Sequence, residues 1–282
     1  MAVLLYLGND LREKDMNKVI PPYELHDRST LPVTGRAVDY DANYAIARHH
    51  HPNAQLIYAV YGVMVVSTEV GQWIVPPTRG IWMPAGTVHW LRTIGEVHMR
   101  SVYIRPDAVP GLPLHCKAVG ISPLLRELIL EAIHIPQPYT EDSRDGRLMR
   151  LILDEVSVLP TLPLHLPQPN DHRLLAICNA ISAEPDDAST LADWSTRLRI
   201  DVKTIQRLFA RETGMSFGQW RQQARLLTAL EQLASGVKVV DVAFNMGYAS
   251  PGAFATMFKR QFGAVPSTFF KSIGKSPAST AN

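Results

Sequence analysis

The chain has 282 residues, 46% hydrophobic and 19% charged, which suits one large or two ordinary domains with cores of their own. Its formal charge of +2 is unevenly divided: residues 1–165 carry 15 Lys and Arg against 17 Asp and Glu, and residues 166–282 carry 13 against 9. No stretch reaches membrane length, the apolar start Met1–Gly8 is too short and lacks a basic lead, and Cys116 and Cys178 form no CxxC, so a cytoplasmic protein with no membrane partner is expected.

Residues 1–40 carry few periodic signals and read as a partly ordered arm. From about 44 to 105 the texture is that of short strands. Ile57–Val66, Gln72–Val75, Gly80–Met83 and Val97–Ile104 are rich in Val, Ile, Tyr and Trp, and Gly71, Pro76-Pro77 and Pro84-Ala85-Gly86 punctuate them. This spacing predicts an antiparallel barrel or sandwich. The period then turns helical over Pro123–Ile135 and Asp142–Leu159. Leu148, Leu151, Ile152, Val156 and Leu159 form a stripe suited to packing on the barrel or on a second subunit, so a homodimer is an expected partner state. Pro160, Pro163, Pro167 and Pro169 read as a semi-rigid linker over 160–170.

Within the strand-rich half, His49 and His51 point to one side if they lie on a strand, with His50 on the other. Gln55 follows four residues after His51, Gly62 seven after that, and Pro84-Ala-Gly-Thr-Val-His89 lies downstream. The pattern resembles the two cupin motifs. The resemblance implies a double-stranded β-helix over roughly 35–105, with His49, His51, Gln55 and His89 at the positions that hold a divalent metal in cupin enzymes. Two positions depart: Gln55 stands where a Glu is usual, and Thr93 where an Asn is expected. Three readings stay open: a bound divalent metal, a metal-free pocket for a small-molecule effector, or a structural remnant. Neutral ligands hold a cation more weakly than a set with a carboxylate, so metal is expected substoichiometrically or not at all. Tyr58, Trp82, Trp90 and Tyr103 are candidates to line the pocket. His50 reads as exposed. His26, His98, His115, His134, His165 and His172 show no ligand spacing.

After His172 nearly everything is helical, and one pattern appears twice. Asp201 is followed by Ile205, Leu208, Phe209 and Gly214; Ser250 is followed at the same offsets by Phe254, Met257, Phe258 and Gly263. Each is a polar N-cap, an i, i+3, i+4 apolar face and a closing glycine, preceded by a short apolar helix and a turn. That plan is a helix–turn–helix, whose second helix enters a DNA major groove. The units fall near 190–212 and 239–262, with a long helix at about Ser216–Ser235 between them. The first second-helix shows Lys203, Gln206 and Arg207 outward, groups suited to guanine, adenine and phosphate. The other shows Gly252, Ala253, Ala255 and Thr256, which read bases poorly. Arg221, Lys259 and Arg260 are candidates for phosphates.

The stretches Thr204-Ile-Gln-Arg-Leu-Phe209, Glu212-Thr-Gly-Met-Ser-Phe-Gly-Gln-Trp220, Asp241-Val-Ala-Phe-Asn-Met-Gly-Tyr-Ala-Ser-Pro-Gly-Ala-Phe254 and Phe258-Lys-Arg-Gln-Phe-Gly263 are similar to the AraC/XylS-type regulator domain. The resemblance implies two helix–turn–helix units whose second helices enter successive major-groove segments on one DNA face. Its base-reading places fall on the seven residues just named. Arg199 stands where the first turn usually has Gly. A left-handed residue there costs Arg about 1 kcal/mol, so either the turn is altered or Arg199 is recruited to a phosphate.

The expected chain is therefore a cupin-like sensor with a helical segment (1–159), a linker (160–170), an all-α domain with two helix–turn–helix units (171–275) and a disordered tail (276–282). Double-stranded DNA, a small-molecule effector and RNA polymerase are the expected partners. The competing expectation is a cupin-type metal-dependent, dioxygenase-like enzyme fused to a DNA-binding domain.

Overall fold

The structure, a computed structural model, describes residues 24–27, 29–77, 79–162 and 164–269. The expectations for the first 23 residues and for the tail at 276–282 lie outside the described residues. The chain divides into two compact units, one within 24–68 and 73–165, the other comprising 69–72 and 166–269.

The first unit opens with a single helical turn, Glu24–Asp27 (α1). Strands follow at Val33–Tyr40 (β1), Ala45–His49 (β2), Ala54–Thr68 (β3), Gly71–Val75 (β4), Arg79–Met83 (β5), His89–Ile104 (β6) and Lys117–Gly120 (β7). They form an antiparallel sheet ordered β1-β6-β3-β5-β7, with β2 on β6 and β4 on β3. The two long strands β3 and β6 pair along their whole lengths, with register shifts between Ala59 and Val63.

Strand β1 corrects the expectation of a loose arm. Gly35, Arg36 and Asp39 blur its alternation in sequence, yet it pairs with β6 from Val33↔Ile104 to Tyr40↔Val97. Gly35 is there for space: a Cβ would lie 2.6 Å from the Ala132 backbone.

Pleating sorts this unit into two faces. Val33, Ala54, Leu56, Tyr58, Trp82, Val102 and Ile104 face the helices Pro123–Ala132 (α2) and Arg144–Ser157 (α3) in one core. Here α3 contributes Met149, Ile152, Leu153 and Val156. Leu151, expected in the buried stripe, is 39% exposed. The alternate residues form the other face.

The proline-rich stretch also differs from a plain linker. It supplies two short strands, Thr161–Leu162 (β8) and His165–Pro167 (β9), and β8 pairs with β7 at the sheet edge, where proline is tolerated.

The second unit is helical: His172–Ala183 (α4), Leu191–Leu198 (α5), Val202–Thr213 (α6), Phe217–Ala234 (α7), Val239–Asn245 (α8), Pro251–Phe262 (α9) and Pro266–Phe269 (α10). Every cap the sequence offers is used. Asp201 accepts from Thr204 N, Ser250 from Ala253 N, and Thr190 with Asp193 and Ser216 with Gln219 form capping boxes. Leu174, Ile177, Trp194, Ile205, Leu208, Phe209 and Trp220 make one core. Phe254, Phe258, Phe262 and Phe269 pack in a second, their rings tilted or edge-on to one another.

Candidate functional site

Strand β2 ends on His49, so His51 lies in the loop before β3 rather than on a strand, as the sequence suggested. The loop is still fixed: Gly86 N donates to His51 O at 2.8 Å, tying the HxH segment to the turn before His89. His49 and His89 pair in register. The rings converge, with centroid separations of 4.9 Å for His49–His51, 4.3 Å for His49–His89 and 5.6 Å for His51–His89. One ring nitrogen from each lies within 4.8 Å of the other two.

The tautomers follow from the partners. His49 Nδ1 is 2.8 Å from Ala47 O, His89 Nδ1 is 2.9 Å from Thr87 O, and His51 Nδ1 is 2.9 Å from Asp27 Oδ1. Carbonyl and carboxylate oxygens only accept, so each Nδ1 carries the proton and donates. Each Nε2 is left with its lone pair. Burial, reinforced by His49, pushes His51 down to about 3; burial pushes His89 down to about 3 as well and also lowers His49. Burial raises the Asp27 carboxyl. These shifts disfavour a charged pair, and the His51 imidazole is neutral.

Gln55 lies on the same face. Its Nε2 donates to Tyr103 OH at 3.0 Å and to Ser101 Oγ at 3.3 Å. Gln55 Oε1 and His89 Nε2 are buried with no hydrogen-bond partner among the described residues. Leaving such groups bare costs about 1–3 kcal/mol each. Tyr103 meets His51 edge-on at 5.2 Å and stacks on His26 at 5.1 Å. Of the four aromatic candidates, only Tyr103 is in this cluster. Tyr58 and Trp82 have the opposite parity and belong to the helix-covered core, where Trp82 Nε1 donates to Pro113 O. Trp90 alternates away from His89 and carries Arg48 over its ring at 4.7 Å. Thr93 bridges backbone: its Oγ1 donates to Asp41 O and accepts from Tyr44 N.

Three Nε2 lone pairs and an amide oxygen suit a borderline divalent cation of the Zn²⁺ or Ni²⁺ type rather than Mg²⁺ or Ca²⁺. Ligands of a tetrahedral ion with bonds near 2.1 Å are roughly 3.4 Å apart. In residue type, His49, His51, His89 and Gln55 fit such an ion.

In the helical unit, α5 and α6 meet at a turn where Arg199 has φ 54° and ψ 42°. The left-handed turn is retained, not altered, despite the missing glycine. Arg199 N and Ile200 N both donate to Ser195 O, and Ser195 Oγ donates to Ile200 O at 2.6 Å. The matching turn of the second unit has Gly247 at φ 72°. Lys203, Gln206 and Arg207 are exposed on α6; Gly252, Ala253 and Thr256 are exposed on α9 and Ala255 is half-buried. Thr256 Oγ1 donates to Gly252 O, which commits its one proton. Lys259 and Arg260 are exposed in the last turn of α9. Arg221 is engaged internally: Nη1 donates to Ser189 O at 2.9 Å, and its guanidinium covers the Phe217 ring.

Residues 194–272 match the family described as a helix-turn-helix domain, and residues 32–199 match the AraC-like ligand binding domain. The chain is 34% identical over 221 residues to the HTH-type transcriptional regulator NimR of Escherichia coli K12, covering 78% of this chain and 81% of that protein. The chain belongs to the AraC family of transcriptional regulators. It also resembles the HTH-type transcriptional regulator RipA of Corynebacterium glutamicum, at 34% identity over 43% of this chain and 35% of that one. A solved structure of ToxT from Vibrio cholerae covers 86% of this chain and 100% of its own at 10% identity, with a TM-score of 0.37.

As an AraC-family regulator the chain binds DNA through its helical domain and a small-molecule effector through its antiparallel-sheet domain. No helix among the described residues is long and apolar enough to cross a membrane. Four residues of the histidine face escape sequence reasoning: His26, Asp27, Arg36 and Ser101. His26 shows no ligand spacing, yet its Nδ1 lies 3.1 Å from Thr34 Oγ1 and its ring covers Tyr103. Its role follows from the fold of the chain around 24–36, not from any motif. Parity with Tyr103, once β1 is recognised as a strand, is the signal that finds Arg36.

Proposed function

We propose that this AraC-family regulator senses its effector at a divalent-metal site formed by His49, His51 and His89, with Gln55 as the fourth donor. The observation that carries the reading is the common tautomer. Three Nδ1 protons are spent on Ala47, Asp27 and Thr87, so three lone pairs are brought together by two buried rings and one half-buried one. When bound, the ion supplies a Lewis-acid attachment point for a ligand. A set without a carboxylate favours an exchangeable ion over a permanent one.

Effector binding then acts as a population shift in how the helical domain engages DNA. Lys203, Gln206 and Arg207 read bases, while α9 brings Gly252, Ala253, Ala255 and Thr256 close to the groove. Arg199, Lys259 and Arg260 hold phosphates; Arg221, braced internally, serves the fold instead. Residues 1–159, 160–170 and 171–275 act as sensor, connector and reader. A homodimer through α3 is supported by its exposed Leu151 and by Val158, 74% exposed just beyond its end. RNA polymerase is engaged by contact or by occlusion, and the protein works in the cytoplasm, where the chromosome is. The relatives' regulator descriptions favour sensing without turnover over the dioxygenase-like alternative.

The test is equilibrium dialysis of the full chain against Zn²⁺ and Ni²⁺, with His89→Ala and His49→Ala as partners. One ion per chain, lost in both variants, supports the site. Equal uptake by wild type and variants sinks it. Consumption of dioxygen by the loaded protein would favour the enzyme.

A further inference from the structure

A cavity of about 540 Å³ lies on the helix-covered side of the sheet, away from the imidazole cluster. Ala54 and Trp82 form its floor. Pro84 and Ala85 wall one side, and the loop after β6 walls the other with Val109, Leu112 and Leu114. That loop is fixed. Ala108 N donates to Arg105 O at 3.0 Å, Trp82 Nε1 donates to Pro113 O at 2.9 Å, and Pro106, Pro110 and Pro113 restrict φ along it. The cavity is therefore formed before anything enters it. Its other wall belongs to a tight turn, in which Thr87 N donates to Pro84 O at 3.2 Å and Gly86 takes φ 75°. The same turn holds the imidazole site: Gly86 N donates to His51 O at 2.8 Å, and Thr87 O accepts from His89 Nδ1 at 2.9 Å. Its first half lines the cavity and its second half anchors His51 and His89.

We propose that this cavity binds a small, uncharged, largely apolar molecule, and that the Pro84–Thr87 turn couples its occupancy to the imidazole site. The coupling, though not the binding, rests on the metal reading above. Size is the first argument: the volume falls within the roughly 300–1,000 Å³ of small-ligand pockets. Polarity is the second. Trp82 has given its one side-chain N–H to Pro113 O. Asp107, the one charged side chain among the described residues that line the cavity, accepts from Arg105 Nε. A cation would have to displace Arg105 to reach that carboxylate. An anion would face the carboxylate itself and a row of prolines, which bring carbonyls and no N–H. A charge taken in without a partner is costly. An uncharged molecule escapes that cost and gains by removing its apolar surface, and that of Val109, Leu112 and Leu114, from water. Leu114, 84% exposed at the mouth, is a large apolar side chain that such a molecule would cover. Coupling follows from the shared turn. A molecule resting on Pro84 and Ala85 favours one setting of the turn, and that setting positions the His51 carbonyl and the His89 ring. By linkage the effect is reciprocal.

The test is equilibrium dialysis of the full chain against radiolabelled indole, with tryptamine and indole-3-acetate as its cationic and anionic counterparts, with and without Ni²⁺. One indole per chain is expected, with both charged analogues weaker by about 10-fold or more. Ala85→Trp fills the cavity from an exposed turn position and is expected to abolish indole uptake while its thermal unfolding matches wild type. Leu112→Glu, which puts a carboxylate into the wall, is expected to abolish it as well. Ni²⁺ should change indole affinity, and indole should change Ni²⁺ affinity, by one and the same factor of about 5 or more. No indole uptake, a preference for either charged analogue, uptake undiminished in both variants, or indole and Ni²⁺ affinities independent of each other each overturns the inference and leaves the metal site standing. Self-association of the chain that indole leaves intact and Leu114→Ser abolishes would assign the groove to a second copy and overturn it too. Failure of the wild type to take up Ni²⁺ overturns the metal reading and the coupling with it, while the indole data still decide the cavity.

Discussion

The Asp27 carboxylate accepts a hydrogen bond from His51 Nδ1 at 2.9 Å, 24 residues away in sequence. Such a carboxylate fixes the ring's tautomer and orientation and raises the basicity of the other nitrogen, and its removal typically weakens metal binding 10–100-fold. Asp27→Ala is therefore expected to weaken Ni²⁺ or Zn²⁺ binding by about that factor while leaving the fold intact by circular dichroism. Unchanged metal affinity would show that His51 is oriented by the loop alone.

Arg199 stores strain in a turn that favours glycine. Arg199→Gly is expected to raise stability by about 1 kcal/mol in denaturant unfolding, through relief of the left-handed conformation. If Arg199 holds a phosphate, the same variant also shows a DNA-binding salt slope shallower by roughly one. A destabilised variant would mean that the side chain has packing value the turn geometry does not reveal.

How much of this was legible in the sequence depended on how local each signal is. The helical domain was readable almost to the residue, because caps, glycines and i, i+3, i+4 faces are written within a few positions; Asp201 and Ser250 cap their helices as expected. The three histidines were found by spacing. Strand β1 was not, since its alternation is broken by Gly35 and by a buried Arg36 that only the finished sheet explains. Tyr58 and Trp82 were misplaced for a related reason: aromatic character is visible in sequence, but which face a strand buries is decided by its partners. The prolines at 160–169 suggested a spacer because edge pairing by β8 leaves no local mark.

The two reading helices should differ in discrimination. Gln206→Ala and Arg207→Ala are each expected to cost about 1–3 kcal/mol in specific binding and to relax preference at one or two base pairs. Wild-type affinity and selectivity in both variants would move the reading face elsewhere on α6.

Under α9, by contrast, base substitutions should matter little. Its small side chains carry one hydroxyl, and the Thr256 proton is already given to Gly252 O. Stronger discrimination beneath α9 than beneath α6 in a base-by-base scan would reverse the assignment.

Acid should loosen the helical domain through its caps. The Thr204 hydroxyl, then the Thr204 N–H, hold Asp201 below the usual carboxylate range, and the Thr190 N–H, then its hydroxyl, lower Asp193. A depressed folded-state value means the stabilisation is complete above the unfolded value, about 3.9, and is lost as pH falls through the folded one. The thermal midpoint of the helical signal should drop as pH is lowered below about 4. Asp201→Asn, which still caps but does not titrate, should make that drop shallower; an identical profile would place the acid sensitivity elsewhere.

The most direct test of the account is selection of binding sites from random-sequence DNA by the full chain, followed by affinity measurement on the selected site with and without Ni²⁺. The account predicts a bipartite site with two contacts about 10 bp apart on one face. It further predicts a change in affinity on metal loading that His89→Ala abolishes while its metal-free affinity stays at the wild-type level. No enriched sequence, or the same metal response in wild type and His89→Ala, would contradict it.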